Sequence, residues 1–439
     1  MPTLRFFKHN YQLVDLLLIG MVGLLTLAYW QGVAEVPFHP DESTYLFMSA
    51  DWEDFLTHPA ALAYRPENPG IRQNYRLLDP PLVRYLVGAA RAAADFPALV
   101  SDWNWTLSWV ENEQTGAMPV QDLLTAGRFG PAALFPFSLL LIYFSGWRLG
   151  GRFLGWSSML LLATNSLVLL HTRRAMAEGG LVFSICLFIA SLIFCRKRPW
   201  LISIPLALMV CAKHSTLPLA IIGLMAIFLY ARKPIHWASL FAHFARFAGI
   251  FLVIFIILNP VFWAEPSLAV QAALQARQDL LTRQTAEFGL SQPEALSNTP
   301  WKAALSIVAN LFITPPSIAD VGNYLVETNA SAERYLANPF QVLFRDMIFG
   351  GLMLALCLVG FFYAIRYALS PGSPQREPLL LLISGTLIQF LTLVFMVTLP
   401  FQRYVVPLIP FNCLWIGYCL FLLREKLKSP LKDREALSE

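Results

Sequence analysis

Long apolar runs separated by shorter polar stretches dominate the chain. A helix needs roughly 20 apolar residues to cross the hydrocarbon core of a bilayer, and many of these runs are close to that length. The pattern predicts an all-α polytopic membrane protein with about ten crossings, of which the pair within 201–230 is short. The predicted spans are Val14–Trp30, Leu124–Phe144, Phe153–Leu170, Gly179–Cys195, Leu201–Cys211, Leu217–Tyr230, Phe247–Phe262, Val342–Ile365, Leu379–Leu399 and Val405–Leu423.

Two long polar sections interrupt this pattern, at about 31–123 and 263–340. Within the first, Glu42–Leu56 and Pro81–Ala94 read as amphipathic helices that are too short to cross a bilayer. They are expected to lie against the membrane surface. The chain is therefore predicted to form one membrane domain over 1–425, with a charged cytoplasmic tail at 426–439.

Basic residues in the short loops give the predicted orientation. Cytoplasmic loops are enriched in Lys and Arg, and those of this chain fall on the side of the N-terminus, where Arg5 and Lys8 precede the first span. No small-residue cleavage site precedes His39, so this span is expected to remain in the protein. The prediction is a multi-pass protein, of a plasma or inner membrane, with both termini cytoplasmic and both polar sections outside. The loop residues are Arg148, Arg152, Arg196, Lys197, Arg198, Arg232, Lys233, Arg246, Arg366 and Arg376, followed by the basic residues of the tail.

Composition agrees with a membrane protein and excludes several other classes. Hydrophobic residues make up 56% of the chain and charged residues 14%, with a mean hydropathy of +0.55. A formal charge of +4 is too small to indicate nucleic-acid binding, and no basic-aromatic groove pattern accompanies it. The six cysteines lie in or beside apolar runs, as small buried side chains do. The sequence has neither a phosphate-binding G-x-x-x-x-G-K-[ST] loop nor a dinucleotide fingerprint.

Candidate chemistry begins where the first span leaves the bilayer, in the segment His39-Pro40-Asp41-Glu42. Two adjacent carboxylates at a membrane surface are well placed for acid–base catalysis or cation binding. The alternative is that they cap the helix that follows, because carboxylates stabilise a helix N-terminus.

Two further acids lie at predicted outer ends of spans. Asp79 precedes a double proline that is expected to start the second amphipathic helix, and it could simply cap that helix. Glu178 follows Arg173 and Arg174 in a turn of about eight residues between two apolar runs, where it could pair with an arginine. Convergence of Asp41 and Glu178 would instead form a catalytic or metal-binding pair.

Cations occupy the same predicted surface. Lys213, followed by His214, lies between two short apolar helices, where a charge needs a partner such as Glu178 or a phosphate. Arg403, followed by Tyr404, opens the last span and could anchor it, although arginine is also the preferred partner of phosphate. Acids and cations at one membrane surface suggest chemistry on a lipid-phosphate substrate.

In the order of its spans and motifs, the chain resembles the polytopic GT-C glycosyltransferases that use polyprenyl-phosphate sugars. The resemblance lies in Asp41-Glu42, then Asp79-Pro80-Pro81-Leu82, then Arg174-Ala175-Met176-Ala177-Glu178, then Lys213, then the stretch from Arg403 to Pro410. It is strongest to the branch of protein O-mannosyltransferases and lipid A aminoarabinose transferases. It implies a bundle with juxtamembrane helices in the first outer loop, and transfer of a sugar to a lipid, glycan or protein acceptor on the outer face.

The resemblance also implies roles for individual residues. Asp41, with Glu42 beside it, matches the first-loop acid and would act as general base. Glu178 stands where many relatives carry Asp and would orient the acceptor or help to hold a divalent cation such as Mg²⁺ or Mn²⁺. The phosphate-binding cations match Lys213 and Arg403. The remaining predicted substrate-binding residues are His39, Asp79, Arg173, Arg174, His214 and Tyr404.

Two other functions fit the same topology. A transporter or flippase for a lipid-linked sugar would place its charges near the bilayer midplane within broken helices, whereas these charges fall at outer helix ends. An O-antigen ligase or polymerase using a diphosphate-linked donor would have a large outer loop late in the chain, for which 263–340 is a partial counterpart.

Overall fold

The computed structural model describes residues 10–67, 70–231, 236–319, 324–399 and 401–435. Within these ranges the secondary structure is helical, without a strand, which confirms the all-α prediction. Arg5, Lys8, Arg232 and Lys233 lie outside the described residues, as does the end of the predicted tail at 436–439.

The first polar section is built from short helices rather than extended loop. Prolines start two of them, at Pro40 and Pro81, because a proline at the first helical position loses no hydrogen bond that the helix would have made. The predicted piece at 42–56 is divided at Ser49-Ala50, and the predicted piece at 81–94 forms as one helix. The helices in this part of the chain are α1 (Asn10–Gln31), α2 (Pro40–Met48), α3 (Asp51–Thr57), α4 (Ile71–Leu78), α5 (Pro81–Ala93) and α6 (Trp109–Gln114).

The middle of the chain holds most of the bundle. The predicted span at 153–170 is broken at Asn165, whose side-chain oxygen accepts hydrogen bonds from the backbone amides of Leu167 and Val168 and so starts a new helix. The helices are α7 (Gln121–Ala132), α8 (Phe135–Gly150), α9 (Arg152–Ala163), α10 (Ser166–His171), α11 (Ala177–Phe194), α12 (Ser203–Ala212), α13 (Ala220–Leu229) and α14 (Trp237–Leu258).

The last part of the chain contains the second polar section and three long apolar helices. A 3-10 segment at Gln402–Leu408 leads directly into the final helix, which continues through most of the predicted tail. The helices are α15 (Pro266–Ser291), α16 (Pro300–Phe312), α17 (Leu325–Leu336), α18 (Met347–Leu369), α19 (Arg376–Met396) and α20 (Ile409–Glu435).

Six helical segments among the described residues are long and apolar enough to cross a membrane. The chain is therefore a polytopic membrane protein by length and composition of its helices, while the predicted count of ten stays a prediction. Three shorter apolar helices, at 15–31, 199–212 and 214–229, accompany them. The six segments are Gln121–Gly150, Ala177–Phe194, Trp237–Leu258, Met347–Leu369, Arg376–Met396 and Gln402–Leu427.

Helix α11 forms the centre of the bundle, with 83% of its residues buried, whereas α14 and α18 are mostly exposed on their apolar faces. Around α11 pack α8, α12, α5 and α7. Helices α18 and α20 approach closely at Gly360, where a side chain would collide with the carbonyl oxygen of Trp415. The N-termini of α2 and α11, the C-terminus of α12 and the segment before α20 meet at one end of this bundle, as the ion pairs below show.

Candidate functional site

The N-terminus of α2 is fixed by His39 and Glu42. The Nδ1 atom of His39 accepts a hydrogen bond from the Asp41 amide at 3.1 Å, and the Glu42 carboxylate accepts one from the His39 amide at 3.1 Å. This reciprocal arrangement is a capping box. It uses the side chains of His39 and Glu42, and it leaves the Asp41 side chain 26% exposed. Glu42 therefore caps the helix, and Asp41 lies beside it in the first turn of α2.

Glu42 is fully buried and forms a bidentate ion pair with Arg128 of α7, at 2.7 and 2.8 Å. The Ala175 amide donates a further hydrogen bond to Glu42 at 2.9 Å. Burial alone would raise the pKa of Glu42, but the charge and hydrogen bonds of Arg128 hold it below its ordinary value. Arg128 also donates to the carbonyls of Val33 and Val36. These contacts favour a structural role for Glu42 over the catalytic role predicted from the sequence.

Asp41 forms an ion pair with Arg403, which lies in the 3-10 segment before α20. Both side chains are partly exposed, so the pair is accessible from outside the helical core. The Arg403 guanidinium carbon also lies 5.7 Å from the centre of the Tyr404 ring. The structure thus brings together the first-loop acid and the late-chain cation that the sequence proposed separately.

A second ion pair joins Glu178, in the first turn of α11, to Lys213 at the end of α12, with Nζ and Oε1 2.9 Å apart. Glu178 is 2% exposed, and its Oε2 has no hydrogen-bond partner among the described residues. The Lys213 ammonium lies 5.0 Å from the centre of the Tyr404 ring. Tyr404 therefore contacts the cations of both ion pairs, which places the two pairs side by side.

Tyr45 shows that the acids face a common space. Burial raises the pKa of Tyr45 well above its ordinary value, and the negative charges of Asp79, Glu178 and Asp41 raise it further, while Arg403 lowers it. Tyr45 lies one helical turn after Asp41 on the same face of α2. We call Asp41, Asp79, Glu178, Lys213 and Arg403, together with Tyr45 and Tyr404, the polar cluster.

Asp79 does not cap the helix that follows it. Pro80 occupies the N-cap position of α5, and the Asp79 carboxylate makes no hydrogen bond or ion pair with the rest of the described chain. Burial and the neighbouring Asp41 charge raise the pKa of Asp79 to about 6, against the opposing effect of Arg84, Arg277 and Arg403. An unpaired carboxyl group that titrates near neutral pH is suited to accept or donate a proton.

Arg84 adds a third cation near Asp79. It is buried in α5, pairs with Asp51 at 3.5 Å, and keeps its Nε and Nη1 without a hydrogen-bond partner among the described residues. Asp51 is already held in a bidentate pair by Arg76 at 2.6 and 2.9 Å. Part of the hydrogen-bonding capacity of Arg84 therefore remains unused.

Three of the predicted substrate-binding residues are not part of the polar cluster. Arg173 donates to the carbonyls of Tyr29 and Ala28 and to the side chain of Gln341, and Arg174 donates to the carbonyls of Pro37 and Ile318. Both guanidinium groups are buried cross-links between segments of the fold. His214 follows Lys213 directly and starts the 3-10 segment His214–Leu219 that leads to α13.

Sequence reasoning missed Arg128, Tyr45 and Arg84. Arg128 had a readable signal, because an arginine inside a predicted apolar span is costly without a partner. Tyr45 was readable from its spacing, since residues four apart share a helix face. Arg84 gave no comparable signal, because a basic residue on an amphipathic helix is ordinarily solvated.

The polar cluster lacks the ligand set of a divalent-cation site among the described residues. Within the described ranges, no three side chains of His, Cys, Asp or Glu gather as metal ligands would. Asp41 and Glu178, the two predicted ligands, are each bound to a cationic side chain, and hard divalent cations require several oxygen ligands together. The donor set therefore does not fit Mg²⁺ or Mn²⁺.

Comparison with solved structures shows the fold to which this arrangement belongs. The oligosaccharyltransferase of Archaeoglobus fulgidus, in a complex with Zn and sulfate, matches 96% of this chain with a TM-score of 0.53 and 12% sequence identity. The oligosaccharyltransferase AglB of the same organism, in complex with an inhibitory peptide and a dolichol-phosphate, matches 98% with a TM-score of 0.52 and 10% identity. This chain has the GT-C fold.

The match covers only part of each solved structure. This chain spans about half of each archaeal protein, 51% and 52% of their lengths. The O-mannosyltransferase complex Pmt1-Pmt2 of S. cerevisiae, bound to its sugar donor, matches 61% of this chain and 35% of its own with 13% identity and a TM-score of 0.40, too low for a detailed comparison. No protein-family model matches the sequence. No curated protein matches it either.

Proposed function

We propose that the protein is a membrane glycosyltransferase that moves a sugar from a polyprenyl-phosphate donor to a hydroxyl group of an acceptor. The observation that carries the proposal is the pairing of two accessible cations, Arg403 and Lys213, with two acids, Asp41 and Glu178, around a single aromatic ring, Tyr404. The shared fold with the archaeal oligosaccharyltransferase supports it, since that protein has been seen with dolichol-phosphate.

The donor phosphate would be bound by Arg403 and Lys213. A phosphate would replace the carboxylates of Asp41 and Glu178 as the anionic partner of these cations. Arginine binds phosphate through two parallel N–H groups. Binding of the donor would release Asp41 from its ion pair with Arg403. Asp41 would therefore be paired while the donor site is empty, and it would be available to accept a proton once the donor is bound. Arg84, whose Nη1 has no hydrogen-bond partner among the described residues, lies on the Asp79 side of the same space.

The reaction would be a single displacement. The acceptor oxygen attacks the anomeric carbon, the bond between that carbon and the phosphate oxygen breaks, and the electron pair leaves with the polyprenyl phosphate. The acceptor proton passes to a carboxylate. Asp41 is our candidate for that base, and Asp79 beside it, with a pKa near 6, would share the proton. Negative charge develops on the departing phosphate, where Arg403 and Lys213 stabilise it.

The acceptor class proposed here is a lipid, glycan or protein, on the outer face of the membrane. The charges of the polar cluster lie at helix ends, which favours an enzyme over a transporter, whose charges would lie within broken helices. No feature of the described residues favours a second function.

A transfer assay tests the proposal. Purified protein in detergent would be supplied with radiolabelled polyprenyl-phosphate hexoses and a membrane extract as acceptor, with and without EDTA. Wild type would be compared with Asp41→Asn and with Asp122→Asn, an exposed acid in the first turn of α7 that serves as control. We expect label to move to a new product with wild type and Asp122→Asn but not with Asp41→Asn. Full activity of Asp41→Asn would remove the base assignment, and the EDTA arm decides the need for a metal.

A further inference from the structure

Arg345 is a buried arginine that has no acidic partner in the part of the chain that the structure describes. It precedes α18, and among the described residues no carboxylate pairs with it. Its Nε donates to the Ser166 hydroxyl at 2.8 Å and its Nη1 to the Asn310 carbonyl at 2.7 Å, while Nη2 has no hydrogen-bond partner in the described part of the chain. A buried charge without a counterion is costly, so this group is suited to receive an anion.

The neighbouring acid does not supply that anion. Asp346 accepts hydrogen bonds from the amides of Ile348 and Phe349, both at 2.7 Å, and so caps α18. Burial lowers the pKa of Arg345 to about 9, because no negative charge offsets the loss of solvent. At neutral pH the guanidinium is still charged, and its charge is uncompensated.

Arg345 lines a cleft whose other walls are mainly apolar. The free volume inside the cleft is about 50 Å³, and the cleft opens to the surface of the protein. Thr164, Asn165 and Asn412 are its other polar residues. It shares no residue with the polar cluster. The apolar lining includes Leu161, Phe312, Met353, Ile409, Cys413 and Ile416.

The cleft lies beside a helix, α18, that the rest of the bundle leaves largely uncovered. Met347 and Ile348, the first residues of α18, are 75% and 79% exposed, and α18 is one of the helices able to cross a membrane with most of its surface uncovered. A cation at the end of such a helix sits at the level of lipid headgroups. Met353, less than two turns into α18, also lines the cleft.

We propose that this cleft is a binding site for one anionic phospholipid, with its phosphate on Arg345 and an acyl chain along the apolar walls between α9, α18 and α20. A free phosphate ion would use the guanidinium but none of the apolar lining, and a zwitterionic lipid carries a second, positive charge that this site does not match. The proposal does not depend on the glycosyltransferase activity.

Native mass spectrometry of the full-length, delipidated protein tests this site. The protein would be titrated with phosphatidylglycerol and with phosphatidylcholine of the same acyl chains, and separately with phosphatidylglycerol in the presence of excess inorganic phosphate. For wild type we expect one phosphatidylglycerol to be retained in preference to phosphatidylcholine. Arg345→Gln should weaken that binding about tenfold, the size of one charged hydrogen bond. Arg366→Gln, at the exposed far end of the same helix, should leave it unchanged.

A second variant separates loss of the site from loss of folding. Met353→Trp keeps Arg345 and fills the cleft, so it should also lose the preference, while gel filtration and helical content report whether each variant is folded. Unchanged phosphatidylglycerol binding in folded Arg345→Gln or in folded Met353→Trp would overturn the proposal. So would an equal loss in Arg366→Gln, which would indicate attraction to charge in general, or full displacement of the lipid by inorganic phosphate.

Discussion

Arg403 contacts Asp41 across 362 residues of sequence. The contact joins the segment before the last helix to the first turn of α2. Residues from near the beginning and near the end of the sequence therefore meet in the candidate site. A cation and an acid that are paired in the free protein can be separated by a competing anion, and this exchange is the basis of the predictions on binding and turnover.

The buried pair of Glu42 and Arg128 is predicted to hold the fold. Glu42→Gln removes one charge and leaves Arg128 buried without a counterion, which typically costs about 3–5 kcal/mol. Thermal unfolding in detergent should show a large drop in the midpoint. Glu333→Gln is the control, because Glu333 is exposed on α17 and accepts a hydrogen bond from the exposed Asn329 side chain, and a surface contact of this kind contributes about 0–1 kcal/mol. Equal losses in the two variants would contradict a structural role specific to Glu42.

The pair of Glu178 and Lys213 should show strong coupling. Lys213→Met leaves the buried Glu178 carboxylate uncompensated, so this single variant should be less stable than wild type. Adding Glu178→Gln should recover much of the lost stability, because the unpaired charge is gone. The double variant should nevertheless remain inactive in transfer, since the phosphate has lost a cation. Recovery of both stability and activity would show that the pair serves structure alone.

Asp79 is predicted to set the pH dependence of transfer. Its folded-state pKa of about 6 lies above the usual value of 3.8, so the carboxylate form that accepts a proton is gained as the pH rises through 6. The transfer rate of wild type should increase over that range. Asp79→Asn should lose the step at pH 6 and retain a lower, flatter rate. A wild-type rate independent of pH between 5 and 7.5, or an unchanged step in the variant, would contradict this assignment.

The same shift predicts an effect on stability. Because the pKa of Asp79 is raised in the folded state, the contribution of Asp79 to stability is fully present below pH 3.8 and is lost as the pH rises through 6, since the folded protein disfavours the charged form. Asp79→Asn should therefore raise the midpoint of thermal unfolding at pH 7.5, and this gain should disappear toward pH 4. A lower midpoint at pH 7.5 would mean that the Asp79 carboxylate has a stabilising partner.

The sequence predicted the all-helical fold and the acids and cations of the site, because apolar run length and charges at span ends are local properties. It could not predict that Glu42 would be buried while Asp41 stayed accessible, since both follow Pro40 and only the position of Arg128 separates them. Arg173 and Arg174 likewise appeared to be available, and their carbonyl partners come from distant segments. The break at Asn165 was missed because apolar residues continue on both sides of it.

Binding of polyprenyl phosphate to Asp41→Asn tests the central claim most directly. If Asp41 and the phosphate compete for Arg403, removal of the Asp41 charge should tighten binding of the lipid phosphate several-fold, while transfer is lost. Equilibrium binding of a labelled polyprenyl phosphate would be measured for wild type, Asp41→Asn and Arg403→Gln, with Asp122→Asn as control. We predict tighter binding in Asp41→Asn and weaker binding in Arg403→Gln. Unchanged or weaker binding in Asp41→Asn, or retained transfer by that variant, would contradict the account.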